Sequence, residues 1–231
     1  MISFNSYINA ETLTEGVYDP GILKAFFTAG GPGSGKSYVT GHAGLGKFSP
    51  MGIKIVNSDN QYEKMLKDAN MEMTPENIFS PKGQKIRGQA KEITKKFQSN
   101  YIKGRLGLLI DGTGKDFNKI QTASVGLRRL GYDTYMIFIN TSLDVALQRN
   151  AERDRSLDEK EVERMWNAVQ NNIGSFQRHF GRKNFIILDN NDANDDIMEI
   201  LFKQVKKIVN GPVNNPIGKK WIASELEKKK K

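Results

Sequence analysis

The sequence of 231 residues contains no cysteine and only two histidines. The lack of cysteine excludes disulfide scaffolds, thiol catalysis and thiolate metal sites. His42 and His179 lie far apart in the chain, and neither belongs to a metal-binding spacing. Ordinary surface or structural roles are therefore expected for both histidines.

Long apolar runs are also missing. No stretch approaches the ~18 consecutive apolar residues that a membrane-spanning helix needs. Residues 1–16 have neither a basic start nor an apolar run, so the sequence predicts no secretory signal. We therefore expect a protein without a membrane segment that stays in the cytoplasm.

The net charge of +9 is concentrated at the C-terminus. Residues 203–231 carry nine lysines against Glu225 and Glu227, whereas residues 1–20 carry three acidic residues and no lysine or arginine. The terminal lysine run fits either a solvated, frayed end or an arm that binds nucleic acid. The length and charge pattern predict an N-terminal extension (1–20), one globular domain (21–210) and a basic tail (211–231).

A glycine-rich motif follows the first apolar run. Residues 30–37 read Gly-Gly-Pro-Gly-Ser-Gly-Lys-Ser, which matches the pattern G-x-x-x-x-G-K-[ST] between a strand and a helix. In this pattern backbone amides surround the phosphates of a nucleotide, Lys36 reaches the β- and γ-phosphates, and the Ser37 hydroxyl can bind Mg²⁺. The residues expected to hold the nucleotide are Gly31, Gly33, Ser34, Gly35, Lys36, Ser37 and Tyr38.

Apolar segments alternate with helical patterns along the chain, which is typical of a parallel sheet covered on both faces. We expect strands at 24–29, 53–57, 106–110, 134–139 and 185–188, and a capping box at 58–61 that opens a helix. Helical patterns cover 74–103, 117–130, 143–180 and 195–209, and a loop through Pro216 and Gly218 precedes the tail. The fold class predicted is α/β, with three layers, a five-stranded and mainly parallel sheet, and a helical lid.

Two carboxylates follow predicted strands. Asp59 comes after the second strand and Asp111 after the third, and in an open parallel sheet the ligand binds at the carboxyl ends of the strands. A phosphoryl transferase needs a carboxylate to orient the acceptor hydroxyl and oxygen ligands for Mg²⁺. The alternatives are that Asp59 only stabilises the helix dipole and that Asp111 only caps a loop.

Basic residues occur in two further segments. Arg149 and Arg153 are spaced i,i+4 on one helical face. At least one of them is expected to contact the triphosphate of the nucleotide. The alternative is that they form surface ion pairs with acidic neighbours such as Glu152 and Asp154. The basic stretch 82–96, which includes Arg87, either steers an anionic acceptor to the site or forms a solvated helix face.

The order of these motifs resembles that of the zeta-toxin-like kinases within the P-loop kinase group. The resemblance rests on the phosphate loop, Val-Asn-Ser-Asp at 56–59, Leu-Ile-Asp-Gly-Thr at 109–113 and an arginine-bearing helix after the fourth strand, and it covers roughly residues 24–189. It implies a three-layer sheet, a mobile arginine-bearing lid, and phosphorylation of a sugar-nucleotide hydroxyl, typically the 3′-hydroxyl of UDP-N-acetylglucosamine. By position, Asp59 would be the catalytic base, and Asp111 and Thr113 would hold the acceptor. That family usually has glutamate at the place of Asp111.

Two further resemblances widen the set of hypotheses. Polynucleotide 5′-hydroxyl kinases share the same general layout. Residues 1–19 resemble the head-targeting leaders of internal proteins in large tailed phages, which would place the protein in a virion or in the host cytoplasm, and a disordered end is the alternative.

Three hypotheses follow. The first is an ATP- and Mg²⁺-dependent kinase that phosphorylates a hydroxyl of a nucleotide-like or sugar-nucleotide acceptor. Its expected catalytic residues are Lys36, Asp59, Arg149 and Arg153, and its expected metal ligands are Ser37 and Asp111. The residues expected to bind the acceptor are Asp59, Asp111, Thr113 and Arg87. The second is a polynucleotide 5′-hydroxyl kinase. The third is a nucleotide-binding virion or regulatory protein that hydrolyses ATP slowly or not at all. The sequence leaves the oligomeric state open.

Overall fold

Five parallel strands form the central sheet of the protein. The structure, a computed structural model, describes residues 16–152, 156–192 and 195–230. The strands are β1 (Lys24–Ala29), β2 (Ile53–Val56), β3 (Gly107–Ile110), β4 (Asp133–Asn140) and β5 (Phe185–Asp189). Their order in the sheet is β2-β3-β1-β4-β5, and each neighbouring pair is parallel. This confirms the predicted α/β class and the five strands.

Helices follow the strands and cover the sheet. The α-helices within the described residues are α1 (Lys36–Thr40), α2 (His42–Phe48), α3 (Ser58–Asp68), α4 (Pro75–Phe79), α5 (Pro81–Lys103), α6 (Phe117–Arg129), α7 (Leu143–Ala151), α8 (Glu159–Gln170), α9 (Ile173–Phe180), α10 (Asp195–Val209) and α11 (Pro216–Lys228). Short 3₁₀ turns lie at Ser49–Met51 and Arg182–Asn184. None of the helices in these ranges is both long enough and apolar enough to cross a bilayer.

The two faces of the sheet bury separate cores. In β1, Phe27 packs with Met136 and Phe176 on one face, and Phe26 packs with Ile137 and Leu201 on the other. The first core is covered by α6, α9 and α11, and the second mainly by α10. Because β1 and β4 are buried on both faces, their sequences are mostly apolar and do not alternate between apolar and polar residues. Three layers result, as predicted.

A third, smaller core belongs to the helices between β2 and β3. Tyr62 and Leu66 of α3 pack against Ile78 of α4 and against Ile86 and Ala90 of α5. The structure divides the predicted helical stretch 74–103 at Ser80, whose hydroxyl accepts a hydrogen bond from the Gly83 amide at 3.0 Å. Pro81 disfavours the helical conformation for the residue before it, which explains the break.

Other predicted boundaries are also corrected. The stretch 143–180 forms three helices rather than one. The N-cap of α3 is Asn57 and not Ser58, because the Asn57 side chain accepts from the Asp59 amide at 2.7 Å. Leu130, the last residue of the predicted helix 117–130, lies past the end of α6 and is exposed.

The C-terminal segment differs most from expectation. In place of a loop through Pro216 and Gly218, α11 lies against the body of the domain, with Trp221 and Ile222 packed on the first core. Asp133 holds the segment that precedes α11 in place, because its carboxylate accepts hydrogen bonds from the amides of Asn214 and Asn215 at 2.8 and 2.9 Å. Residues 1–15, which make up most of the predicted extension, lie outside the described residues.

Candidate functional site

The glycine-rich loop lies at the carboxyl edge of the sheet, between β1 and α1. Gly33 and Gly35 have positive φ values of +71° and +82°, which only glycine adopts without strain. The loop bounds a cavity of about 170 Å³. Its other walls are formed by Thr113, Lys115, Leu157, Met165 and Val169. Residues 30–37 of the loop therefore line one concave site.

Three contacts from other elements hold the backbone of this loop. The Gly30 amide donates to the carbonyl of Thr113 at 3.1 Å. The buried Asn190 side chain donates to the carbonyl of Ser34 at 2.8 Å, and Arg149 donates to the carbonyl of Gly33 at 3.0 Å. Because these partners follow β3, β5 and β4, the whole carboxyl edge of the sheet fixes the shape of the loop.

Lys36, which lines the cavity, forms an ion pair with Asp111. The Lys36 Nζ lies 2.9 Å from Asp111 Oδ1, and both side chains are largely buried, at 15% and 14% exposure. The Thr28 hydroxyl donates to the same carboxylate oxygen at 3.0 Å and accepts from the Gly112 amide at 3.2 Å. Topology thus brings together the two residues that the sequence assigned to phosphate and metal binding, and Thr28 orients the carboxylate.

Asp59 lies in the first turn of α3 and pairs with Arg87 of α5. Arg87 Nη2 is 3.3 Å from Asp59 Oδ1, and the side chains are 38% and 65% exposed. The Arg87 guanidinium also lies 5.2 Å from the centre of the Tyr62 ring. Among the residues predicted at the acceptor, Arg87 and Asp59 are therefore in direct contact.

The helix that carries Asp59 is fastened to the helix of the phosphate loop. Asn60 Nδ2 donates to the Thr40 carbonyl at 3.0 Å, and Asn57 Nδ2 donates to the Thr40 hydroxyl at 3.4 Å. Because Thr40 lies one turn after Lys36 in α1, the position of Asp59 is coupled to the phosphate loop.

The predicted arginines have different surroundings. The Arg149 guanidinium donates to two backbone carbonyls, those of Gly33 and Asn191, at 3.0 and 3.1 Å. This geometry makes Arg149 a support for the loop. Arg153 lies outside the described residues, and Tyr38 is described only as part of the α1 backbone.

Helix α8 and Leu157, which precedes it, cover the phosphate loop. Leu157, Met165 and Val169 line the cavity, and Trp166 packs beside Gly31 while donating to the Thr141 carbonyl at 2.8 Å. The buried Asn150 side chain exchanges two hydrogen bonds with the backbone of Leu157, at 2.8 and 2.9 Å. Part of the predicted helical stretch 143–180 thus lies over the phosphate loop.

Sequence reasoning missed several residues of the site. Thr28 lies inside a strand, and Trp166 and Lys115 belong to no motif, so no signal in the sequence marks them. Asn190 has a signal in the sequence, because it follows the last predicted strand, at the edge of the sheet where ligands bind.

The fold and the site define a P-loop protein with a kinase-like architecture. The profile of a family described as "AAA domain" matches residues 26–172, more than half of the sequence. The chain therefore belongs to this P-loop family. No match is found among curated proteins.

Solved structures show the same fold. A chain of the AvrRxo1-ORF1:AvrRxo1-ORF2 complex with sulphate ions is similar at a TM-score of 0.54 and 16% identity, covering 73% of this chain and 55% of that chain. The corresponding chain of the complex with ATP has a TM-score of 0.53 and 17% identity, covering 75% and 57%. This protein thus spans little more than half of those chains.

Two further structures are matched over most of their own length. A candidate kinase from Chloroflexus aurantiacus J-10-fl has a TM-score of 0.53 and 11% identity, covering 80% of this chain and 98% of that chain. A chain of the PezAT chromosomal toxin-antitoxin system of Streptococcus pneumoniae has a TM-score of 0.53 and 15% identity, covering 82% and 87%. At these identities the similarity establishes the fold alone.

Proposed function

We propose that the protein is a kinase that transfers the γ-phosphoryl group of ATP to a hydroxyl of a nucleotide-like or sugar-nucleotide acceptor. The observation that carries this proposal is the ion pair of Lys36 and Asp111 beside the phosphate loop, with Asp59 at the end of the neighbouring strand. The motif order shared with zeta-toxin-like kinases supports this acceptor class, and the ATP complex of a fold relative supports the donor.

The proposed reaction assigns separate roles to the phosphate loop and to Asp59. On the donor side, the loop amides and Lys36 bind the phosphates and neutralise charge on the transferring group. On the acceptor side, the hydroxyl oxygen forms a bond to the γ-phosphorus while Asp59 accepts the hydroxyl proton. The bond from the γ-phosphorus to its bridging oxygen breaks, and its electron pair leaves with ADP. Arg153 is the candidate for the arginine that meets the transferring group, since Arg149 is engaged with backbone carbonyls.

Magnesium fits the donor set of this site. The Ser37 hydroxyl and the Asp111 carboxylate are hard oxygen ligands, which Mg²⁺ prefers. Within the described ranges, no cluster of three or more histidine, aspartate or glutamate side chains could hold a metal by itself. The ion would therefore be shared with the nucleotide phosphates, and when bound it would neutralise their charge.

A transfer assay tests the proposal. Full-length protein is incubated with γ-labelled ATP and UDP-sugars, nucleosides, nucleoside monophosphates or 5′-hydroxyl oligonucleotides, with Lys36→Ala as the blank. We expect label on a UDP-sugar or a nucleotide, and loss of that label with Asp59→Asn. If no acceptor raises ATP turnover and Asp59→Asn leaves turnover unchanged, the nucleotide-binding alternative replaces the kinase proposal.

One observation favours a second candidate, a polynucleotide 5′-hydroxyl kinase. The exposed side of α5 carries Lys82, Lys85, Lys91, Lys95 and Lys96, which could follow a phosphodiester backbone. Label on oligonucleotides alone would favour this candidate. A steep salt dependence that persists when the residues after Gly218 are removed would separate a groove on the domain from the terminal lysines.

A further inference from the structure

The Asp59 and Arg87 pair differs in character from the Lys36 and Asp111 pair. The two side chains of the first pair are 65% and 38% exposed, and their contact is a single one of 3.3 Å. The second pair is largely buried, and its carboxylate is held in addition by Thr28 at 3.0 Å. Exposed ion pairs contribute little to stability, so the partner of Arg87 can be exchanged at small cost.

The Tyr62 ring gives the Arg87 guanidinium a contact that does not involve Asp59. The guanidinium lies 5.2 Å from the centre of the Tyr62 ring, and that ring is 1% exposed in the small core of α3, α4 and α5. Such contacts between a cation and an aromatic face hold the cation without using its N–H donors. The planar guanidinium therefore has donors left for a phosphate, which it binds in a bidentate manner that lysine does not match.

We propose that Arg87 binds a phosphate group of the acceptor, and that this exchange releases Asp59 to act as the base. The inference rests on the proposed function. It narrows the acceptor to phosphate esters whose phosphate lies near the reacting hydroxyl, and it disfavours neutral sugars and nucleosides. While Arg87 contacts Asp59 Oδ1, that oxygen is occupied by the guanidinium, so an acceptor that lacks the phosphate would leave it engaged.

Matched acceptors test this inference with the full-length protein and γ-labelled ATP. UDP-N-acetylglucosamine is compared with N-acetylglucosamine, a nucleoside monophosphate with its nucleoside, and a 5′-hydroxyl oligonucleotide with the nucleoside of its first residue. We expect kcat/KM for the preferred phosphate ester to exceed that of its neutral partner by about 10- to 100-fold, the range of a hydrogen bond to a charged group. The member of the set that is labelled identifies whether the phosphate belongs to a nucleotide or to a polynucleotide.

Substitutions of Arg87 are expected to affect a phosphate-bearing acceptor and its neutral counterpart differently. Arg87→Gln is expected to lower kcat/KM for the phosphate ester about 10-fold or more, and to leave the neutral partner unchanged or faster, because Asp59 is no longer paired. Arg87→Lys should recover only part of the loss. For the nucleotide and sugar-nucleotide acceptors, Lys91→Gln removes the same charge from the same helix and shows how much of the effect is general steering.

Several results would overturn the inference while the kinase proposal stands. One is equal kcat/KM for phosphate esters and neutral partners in the unaltered protein. Another is an equal loss on both members with an Arg87→Gln protein whose urea unfolding is unchanged. A third is a loss with Lys91→Gln as large as that with Arg87→Gln on a nucleotide or sugar-nucleotide acceptor. Absence of label on every acceptor, at the level of the Lys36→Ala blank, would remove the kinase proposal and the inference together.

Discussion

The Nζ atom of Lys36 lies 2.9 Å from Oδ1 of Asp111, so the lysine of the phosphate loop is joined to the carboxylate that follows the neighbouring strand. The parallel pairing of β1 and β3 places these residues together, because both follow the carboxyl ends of adjacent strands. The pair links the donor phosphates to the place where an acceptor and Mg²⁺ would bind. Several predictions about activity and stability depend on this arrangement and on the contacts around it.

Asp111→Asn should lower kcat strongly and change the KM for ATP less. The amide keeps the shape of the side chain but removes the negative charge that Lys36 and Mg²⁺ would share. We expect a loss on the order of 100-fold in kcat, since a metal contributes several kcal/mol of charge stabilisation. Steady-state kinetics at varied Mg²⁺ concentration measure it. Thr28→Val, which only removes the hydrogen bond to Asp111, should cost far less, and equal losses for the two variants would contradict the role of the charge.

Arg149→Gln should weaken the phosphate loop as well as the reaction. Its guanidinium bonds to the carbonyls of Gly33 and Asn191, so the substitution leaves two carbonyls without their charged donor. We expect a loss of about 1–3 kcal/mol in the free energy of unfolding, together with a raised KM for ATP. Urea unfolding and ATP titration measure the two effects. Arg153→Gln is the comparison, and it should lower kcat with little change in stability.

The contact between α11 and the turn before β4 predicts an effect on stability. A Cβ atom on Gly218 would clash with the carbonyl oxygen of Gly131 and lie 2.8 Å from a methyl group of Val213. Gly218→Ala should therefore destabilise the fold by about 1–3 kcal/mol in urea unfolding. Gly126→Ala is the control, because Gly126 lies inside α6 with open space around it. That control should raise stability by about 1 kcal/mol or less. A neutral Gly218→Ala would mean that α11 does not pack as described.

His179 predicts a dependence of stability on pH. Burial, and then the nearby charge of Arg128, lower the pKa of His179, whose ring is hydrogen-bonded to Ser124. The unfolded chain, with a histidine pKa of about 6.5, binds a proton more readily than the folded chain. The contribution of His179 is thus fully present above that pH and is lost as the pH falls through the lowered pKa. Urea unfolding between pH 5 and 7.5 should show this decline, and His179→Asn should flatten it. An unchanged slope in that variant would assign the decline to other groups.

Much of the fold follows from the sequence because the central strands β1 and β4 are mostly apolar along their length. β1 and β4 are buried on both faces, and their boundaries lie within one residue of those predicted. The pairing of Lys36 with Asp111 also follows, since topology alone brings the ends of adjacent parallel strands together. Contacts between side chains of different helices cannot be predicted from the strand order. The contact of Asp59 with Arg87 depends on how α5 returns along α3, which no local pattern encodes.

The sequence contains residues that favour a helix start before the C-terminal lysines, although the charge of this segment led to the prediction of a loop and a solvated tail. Asn215 caps α11 and Pro216 occupies its first turn, a combination that favours a helix start. Trp221 and Ile222 give it an apolar face that packs on the first core. The charge of the segment suggested a solvated end, although only one side of the helix is needed for packing.

The most decisive measurement is transfer of label from γ-labelled ATP to a phosphate-bearing acceptor, compared between the unaltered protein and Asp59→Asn, with binding of ATP measured for both. If Asp59 is the base of a kinase, labelled acceptor should fall at least 100-fold, in the range of general acid–base catalysis, while ATP binds with unchanged affinity. Label transfer by Asp59→Asn at the rate of the unaltered protein would contradict the assignment of Asp59. Absence of any labelled acceptor in the unaltered protein would contradict the kinase function itself.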